Sequence, residues 1–364
     1  MARILVFLAT IAAALAGVAA LNWWMDPLGD RYHRRFLDQA LSQPKPCFIS
    51  WAVLGSRTWG EYKVDLFRRA HRNAVVVGSS RVGKISARPG ETGFVNLGAP
   101  GIGADSLPPL FERLHSSQSG PLTVYVSVDP FWFGKDWHSE TRFAPSYLRE
   151  LKVLLSAQLA GETVRLLRYA PGAIRHPQRL RYIELEQTPH GCLIDRGHSV
   201  GNKIGSAWAP DGSLYFWEDI FPNPSHLTRG LMILKQPGLV GNRLSKRQLA
   251  SLVQALQLDR SYGWRVVGVS LPFAPHSVHE LDANPAYATV FKDFRAQIPR
   301  VFGQHGFPFL DLTNIGSVPC TAAEFTGDDE GHPDIACSAR VRAKLDAAAR
   351  SEPTPRPARW PRAP

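Results

Sequence analysis

Residues 74–81 read AVVVGSSR. Four consecutive apolar residues, three of them β-branched, followed at once by a glycine and two serines are typical of a buried parallel strand that ends at a turn. The sequence therefore predicts a strand at Ala74–Val77. A serine at a turn from strand to helix has its hydroxyl above the sheet edge, where backbone N–H groups can stabilise an oxyanion. A glycine followed by two serines is also a common turn with an N-cap, so this stretch alone leaves both interpretations open.

Four further apolar runs have the same character, at Phe94–Leu97, Leu122–Val128, Trp264–Leu271 and Pro308–Leu312. Helical patterns separate them: LPPLFERLHS after an N-capping Ser106, then Ser245–Leu258, Ala288–Phe302 and Ala339–Ala349. Strands that alternate with helices indicate a parallel sheet with crossover helices. We expect a three-layer α/β/α sandwich with a mostly parallel, flavodoxin-like sheet of five strands. Such sheets bind ligands at the carboxyl ends of their strands.

The remaining stretches set the expected domain boundaries. Residues 26–72 are predicted to connect the N-terminus to an α/β domain at residues 73–349, with a helix near Tyr32–Leu41. The strand and helix alternation is lost at about residues 132–240, which indicates a large insertion containing short helices such as Tyr147–Leu159. Residues 350–364 are rich in Pro and Arg, a composition typical of a flexible basic tail.

The N-terminus predicts export from the cytoplasm. The run Ile4–Trp24 carries no charge, and about 20 apolar residues cover a hydrocarbon core of roughly 30 Å. Arg3 then lies on the cytoplasmic side, and Trp23 and Trp24 lie at the far interface. A signal peptide cleaved near the small residues Ala16 to Ala20 is the alternative to a signal anchor at residues 1–25. In both cases the rest of the chain lies on the extracytoplasmic or periplasmic side.

The net charge of +11 raises the question of a nucleic-acid partner. The sequence has no zinc-finger spacing, no aromatic RNA-binding motif and no basic heptad region, so we expect none. Arg31, Arg34 and Arg35 follow the apolar run, where they face anionic lipid headgroups or an acidic polymer, or form an ordinary solvated basic surface.

Four cysteines are compatible with two disulfides in an oxidising compartment. Cys320 and Cys337 bracket a segment that contains Asp329 and His332. A bridge between them would close a short loop and stabilise the fold by about 3 kcal/mol. Buried free thiols are the alternative.

Residues 329–332 read DEGH and precede the last predicted helix. A neutral imidazole can accept a proton from a serine hydroxyl, and a carboxylate three residues earlier can hold the other ring nitrogen. In a doubly wound sheet, the loops after the first and fifth strands open on the same edge. We therefore predict that Ser80, His332 and Asp329 form a catalytic group.

These residues resemble those of the SGNH or GDSL-type serine hydrolases and acyltransferases. GSS at residues 78–80, NLG at residues 96–98 and the D-x-x-H spacing of Asp329 and His332 are similar to three blocks of that superfamily. The resemblance implies that Ser80 is the nucleophile, in preference to Ser79. It also implies that the N–H groups of Ser80 and Gly98 form the oxyanion hole. No cofactor or metal is expected, since His276 and His279 are predicted to lie in a Pro-rich loop and have no third ligand nearby in sequence.

The chain departs from the family pattern after the third strand. The family has an asparagine there, whereas residues 126–130 read VSVDP, and an ionised Asp129 cannot donate a hydrogen bond. The oxyanion hole would then rest on backbone donors, or on Asn202 or Arg81. This departure is similar to the branch of membrane-anchored polysaccharide acyltransferases that includes DltD, the teichoic-acid D-alanylation protein.

That branch implies acyl transfer, by O-acylation or deacylation of a cell-envelope polysaccharide or lipid, with an acyl donor and a membrane acyl-transfer partner protein. A small-ester or lipid esterase and a non-catalytic envelope protein with the same fold are the alternatives. Four residues near the predicted cleft are candidates for substrate binding: Arg81, Asn96, Asp129 and Trp132. Trp132 belongs to an aromatic cluster that is either core or a carbohydrate-stacking surface.

Overall fold

The structure is a computed structural model. It describes residues 2–25, 47–49, 60, 63–64, 66–68, 72–99, 101–118, 120–134, 137, 139, 151, 154–169, 171–175, 185–187, 193–195, 206–208, 211–216, 243–318, 320–325 and 331–351. The chain forms two compact units. The N-terminal unit comprises Met1–Thr58 and Ala144–Ala207, and the α/β unit comprises Trp59–Phe143 and Trp208–Pro364. The α/β unit thus begins within the predicted connecting segment and leaves out the middle of the predicted insertion.

The α/β unit contains a sheet of five parallel strands: β1 Ala74–Val77, β2 Phe94–Asn96, β3 Thr123–Ser127, β4 Arg265–Ser270 and β5 Phe309–Asp311. Their spatial order is β5-β4-β3-β1-β2, with every pair parallel. This is the flavodoxin-like order, so the predicted fold class is confirmed. All five strands lie within the predicted ranges because each is a short β-branched or apolar run that is buried in a covered sheet.

The helices of this unit cover both faces of the sheet. They are α2 Leu107–Ser117, α4 Lys246–Tyr262, α5 Pro275–Ala283, α6 Pro285–Gln304 and α7 Ile335–Ser351. On one face, Val76, Val267 and Val269 pack in one buried cluster with Val341 and Leu345 of α7. Gly268 points to the opposite face, where a Cβ would lie 2.4 Å from the Phe302 ring of α6. Alternate strand residues therefore contact helices on opposite sides, which makes three layers.

Two helices differ from the sequence prediction. The segment that contains His276 and His279 is not a loop but α5, because Pro275 occupies its first turn, where a missing N–H is tolerated. Ser106 precedes α2, but its side chain makes no capping hydrogen bond, since a 3-10 turn at Ala104–Ser106 leads into the helix instead.

A buried ion-pair network holds α7 against the amino ends of the strands. The Arg342 guanidinium lies 3.8 Å from the centre of the Phe94 ring and donates to Asp346 at 2.9 Å and Glu91 at 2.8 Å. The Tyr125 hydroxyl on β3 donates to the same Asp346 carboxylate at 2.5 Å. Burial and this hydrogen bond raise the pKa of Tyr125. The network thus lies at the amino edge of the sheet, opposite the edge at which the strands end.

The N-terminal unit contains α1 Ala2–Met25 and α3 Ala157–Tyr169, which pack together. Its short strands include the antiparallel pair Leu185–Gln187 and Leu193–Asp195, and Cys47–Ile49. α1 has a mean hydropathy of 2.6 over 18 residues and fits a membrane anchor or a signal sequence. Within the helix predicted at Tyr147–Leu159, Leu151 and Leu154 are helical, a turn follows at Leu155, and α3 begins at Ala157. The helix predicted at Tyr32–Leu41, the arginines at positions 31, 34 and 35, and residues 352–364 of the predicted tail lie outside the described residues.

Asp259 supplies a test of how deeply α4 is buried in the folded domain. It is fully buried on α4, and neither carboxylate oxygen has a hydrogen-bond partner among the described residues. Burial raises the pKa of Asp259 well above its ordinary value, so the folded state holds this proton after the unfolded chain has lost it. Folding stability should therefore fall as pH rises above the unfolded pKa, near 4.

We expect Asp259→Asn to raise the Tm of the full chain in detergent at pH 7. Each kcal/mol gained in the free energy of unfolding should raise the Tm by about 2–4 °C. The gain should shrink as the pH falls through about 4, where the carboxyl of the unfolded chain also takes up a proton. Asp282→Asn is the matched control, because Asp282 is 52% exposed in a surface ion pair with Arg295 and such pairs are worth about 0–1 kcal/mol. A gain for Asp259→Asn that is equal at pH 4 and pH 7 would contradict the assignment.

Candidate active site

Ser80 is the first residue of the 3-10 turn Ser80–Val82, which starts three residues after β1. Gly78 permits this turn, because a Cβ at that position would come within 2.8 Å of a side chain on β3. The Ser79 hydroxyl accepts a hydrogen bond from the Arg81 N–H at 3.2 Å and caps the turn. The Ser80 side chain is half-buried, at the carboxyl edge of the sheet.

His332 lies between β5 and α7 in a segment that two contacts hold in place. Its neighbour Pro333 forms an isolated antiparallel bridge with Phe325. The disulfide Cys320–Cys337, with Cα atoms 5.3 Å apart, closes the segment and agrees with the predicted pairing. A bridge between the other two cysteines would involve Cys192, which is outside the described residues.

The structure brings Ser80 and His332 together across 252 positions of sequence. The Nε2 atom of His332 lies 2.9 Å from the Oγ atom of Ser80. A neutral imidazole with its proton on Nδ1 accepts this hydrogen bond from the hydroxyl. That arrangement is the one that a general base needs to activate a serine nucleophile. Asp329, predicted to hold Nδ1, is outside the described residues, so its role stays a prediction.

Arg81 follows Ser80 and connects the loops around it. Its guanidinium is 2% exposed and its Nε donates to the Gly331 carbonyl, directly before His332, at 2.7 Å. Its Nη2 donates to the carbonyls of Leu271 and Pro272, just beyond β4, at 3.0 and 2.8 Å. The guanidinium also lies over the Phe273 ring at 3.8 Å. One side chain therefore fixes the serine turn against both the histidine segment and the end of β4.

Asp129 provides the charge that allows Arg81 to be buried. Its Oδ1 lies 2.5 Å from the Arg81 Nη1, and both side chains are almost completely buried. Its Oδ2 accepts a hydrogen bond from the Ser79 hydroxyl at 2.5 Å. The Ser79 hydroxyl is thus engaged inside the domain, whereas the Ser80 hydroxyl points to the imidazole. This geometry favours Ser80 over Ser79 as the nucleophile.

The two backbone donors predicted for the oxyanion hole differ in their hydrogen bonding. The Gly98 N–H donates to the Oδ1 of Asn96 at 2.8 Å, so in this structure it is not directed at an oxyanion. The Asn96 Nδ2 donates to the carbonyls of Val82, Gly83 and Ile85, which fastens the serine turn to the end of β2. The Ser80 N–H, in contrast, has no hydrogen-bond partner among the described residues. It is the donor that the structure leaves for a developing negative charge.

The four predicted substrate-binding side chains do not line an open cleft. Arg81 is 2% exposed, and Asn96, Asp129 and Trp132 are completely buried. Their burial argues against substrate contact, and the hydrogen bonds of Arg81, Asn96 and Asp129 give these three a structural role instead. Trp132 lies in the buried 3-10 turn Pro130–Phe133, so it is part of the core. Asn202, a further predicted donor, is outside the described residues.

Sequence reasoning missed Lys63, whose ammonium binds the last residue of β2. Its ammonium is fully buried and donates to the carbonyls of Asn96, at 2.8 Å, and Gly212. Burial lowers the pKa of Lys63 from 10.5 to about 7, and the charge of Asp211 opposes this shift. No local motif marks Lys63, because its partners are backbone groups distant in sequence.

No protein-family model matches the chain, and no curated protein matches it. The geometry of Ser80 and His332 is therefore the basis for any function.

The disulfide supplies one test of how the histidine segment is held. We expect Cys320→Ala/Cys337→Ala to lower the stability of the folded chain by about 3 kcal/mol, because the unfolded chain regains the entropy of the open loop. The measurement is thermal unfolding of both proteins with and without reductant. Wild type should lose stability when reductant is added. Any change in the Tm of the double variant on reduction reports the contribution of a disulfide between the other two cysteines. Equal stability of the two oxidised proteins would contradict this role.

Arg81 supplies a second test. Arg81→Lys keeps the positive charge but cannot reach Asp129, Gly331 and the end of β4 together. We expect a fluorophosphonate to modify Ser80 about 10- to 100-fold more slowly in the folded variant, since displacements near 1 Å have such effects. Arg342→Lys is the control, because Arg342 is a buried arginine at the other edge of the sheet. It should lower the Tm and leave the modification rate unchanged, and equal rate losses in both variants would overturn the positioning role.

Proposed function

We propose that the chain is a membrane-anchored, extracytoplasmic serine acyltransferase or esterase of the SGNH type. The observation that carries the proposal is the hydrogen bond of 2.9 Å between the His332 Nε2 and the Ser80 Oγ. The pair lies at the carboxyl edge of a doubly wound sheet, which is where such folds bind their ligands. The apolar helix α1 supports the membrane tether.

The first chemical step forms an acyl-enzyme. The Ser80 Oγ attacks the carbonyl carbon of an acyl donor while the His332 Nε2 takes the hydroxyl proton. The tetrahedral intermediate then collapses, the bond to the leaving alcohol breaks, and His332 returns the proton to that alcohol. Asp329 is proposed to hold the other ring nitrogen and to stabilise the imidazolium that forms in between.

The second step transfers the acyl group. A hydroxyl of the acceptor, or a water molecule, gives its proton to the His332 Nε2 and attacks the ester on Ser80. Collapse of the second intermediate releases the acylated acceptor, or the free acid, and restores the serine hydroxyl. The Ser80 N–H stabilises the oxyanion in both steps. Arg81, through Asp129 and the Gly331 carbonyl, positions the two reacting side chains without contact to substrate.

The acceptor is proposed to be a cell-envelope polysaccharide or lipid. Two features support an envelope substrate. A tether by α1 would keep the protein at a membrane, and the Cys320–Cys337 disulfide is typical of an oxidising compartment. The resemblance to membrane-anchored acyltransferases favours transfer over hydrolysis, by analogy alone. An acyl-transfer partner protein in the same membrane would supply the donor.

A non-catalytic envelope protein is the second candidate, and the engaged oxyanion donors favour it. The Gly98 N–H is bound to Asn96, and Asp129 offers no donor because it is a carboxylate in an ion pair. Each missing donor raises an acyl-transfer barrier by about 2.7–4 kcal/mol. A protein with one remaining donor would turn over acyl esters slowly or not at all.

Covalent modification of the serine distinguishes these candidates. We expect a fluorophosphonate to modify Ser80 of the full chain in detergent, because the imidazole raises the nucleophilicity of this hydroxyl. Mass spectrometry of the digested protein identifies the modified residue. Ser80→Ala should abolish modification, and His332→Ala should slow it by about 10²–10⁴-fold, the usual contribution of a general base.

Ser116→Ala is the matched control, since Ser116 is exposed on α2 and should leave the modification unchanged. A modified serine other than Ser80, or no modification of the folded protein, would remove the proposed enzyme. Release of acetate from nitrophenyl acetate, with and without an added polysaccharide, then separates hydrolysis from transfer. Acetyl esters on the polysaccharide show transfer, and acetate release that the polysaccharide does not change shows hydrolysis.

A further inference from the structure

We propose that the N-terminal unit carries a membrane-contact surface, formed by Trp23, Trp24, Leu151, Leu155, Val164 and Ile174, that lies in the interface of the bilayer that α1 enters. These six side chains are between 36% and 54% exposed. In the described part of the α/β unit, Ile335 is the one large apolar side chain that reaches this range, at 36% exposed. Exposed apolar side chains concentrated in the unit that holds an apolar helix indicate contact with an apolar partner.

Hydrogen bonds fix this surface at the end of α1. The Asn22 side chain, 2% exposed, donates to the carbonyls of Leu154 and Ser156 at 2.9 and 3.0 Å. The Trp24 indole N–H donates to the Ile174 carbonyl at 2.8 Å. Because these three carbonyls are held at the last turn of the helix, the side chains beside them share the depth at which α1 leaves the hydrocarbon.

The length of α1 sets that depth. Its 24 residues span about 36 Å at 1.5 Å per residue, against a hydrocarbon core of roughly 30 Å. Trp23 and Trp24 therefore lie at the level of the headgroups, where indole rings prefer to be. The contact surface lies at the same level.

The exposed face of α3 has the character of an interfacial helix. Ala157, Gly161, Val164 and Arg168 are exposed at helical spacing, while Ala160 and Thr163 between them are buried. The exposed positions of α3 whose side chains the structure describes are thus apolar up to Arg168, and Arg175 beyond the helix is also exposed. Apolar side chains at the acyl boundary combined with arginines at the phosphates are the pattern of helices that lie on a membrane.

The lipid bilayer is the occupant that we assign to this surface, because the surface continues directly from the apolar length of α1. The inference rests on the proposed anchoring by α1, so the experiment tests the anchor and the surface separately. The single substitutions Ile11→Cys, Leu155→Cys, Val164→Cys and Lys246→Cys each place one environment-sensitive fluorophore in the full chain, which is reconstituted in phosphatidylcholine and phosphatidylglycerol vesicles. The described native cysteines are not free, which limits background labelling.

Ile11 reports on the anchor, and Lys246, exposed on α4, serves as the reference in the other unit. We expect brominated lipids to quench the fluorophore at Ile11, Leu155 and Val164, and aqueous iodide to quench it at Lys246. The emission at Leu155 and Val164 should shift to shorter wavelength when the lipid is added. Thermal unfolding confirms that each labelled variant is folded.

Three outcomes separate the two claims. Lipid quenching at all three positions supports both the anchor and the surface. Lipid quenching at Ile11, with iodide quenching at Leu155 and Val164 equal to that at Lys246, overturns the surface and keeps the anchor. Absence of lipid quenching at Ile11 removes the anchor and the surface with it, and leaves the chemistry of Ser80 and His332 untouched.

Discussion

The buried guanidinium of Arg81 is the interaction on which the arrangement at the carboxyl edge depends. A charge inside a protein is tolerated only when a counter-ion and hydrogen-bond acceptors surround it. Asp129 after β3, the carbonyls after β4, and the Gly331 carbonyl before His332 supply them. Each of these groups comes from a different loop. Moving any one loop would leave the buried charge partly unsatisfied, and that free-energy cost keeps the loops in one fixed arrangement. The contact between Ser80 and His332 results from this fixed arrangement of the loops.

The fold was largely predictable, because short buried parallel strands have a simple sequence pattern. The run AVVV at residues 74–77 is typical of a strand that is buried on both faces of a sheet, and the four later runs are similarly apolar. Their alternation with helices predicted a flavodoxin-like parallel sheet, and in such a sheet the loops after the first and fifth strands open on one edge, which predicted the meeting of Ser80 with His332. The helix α5 was missed because prolines near residue 275 were interpreted as loop formers, although proline also starts helices.

The site itself was less predictable, since its details depend on which acceptor each donor meets. A motif of Asn, Leu and Gly identified the backbone N–H of Gly98 but not the side chain of Asn96 that binds it in a local turn. The chemistry of Asp129 was predicted correctly as that of an acceptor. Its partners, Arg81 and Ser79, became visible only with the three-dimensional structure, because 48 and 50 positions separate them from it in sequence.

The separation of 252 residues between Ser80 and His332 also determines when the site can exist. A ribosome completes the strand before Ser80 long before it reaches the histidine, and domains of this size fold only when their distant strands are available. The serine turn therefore emerges first, without the imidazole of His332 and without the carbonyl of residue 331 that Arg81 binds. Whatever the hydroxyl of Ser80 does, the nascent chain cannot do it during translation, and any reactivity begins only after the whole sheet has been made.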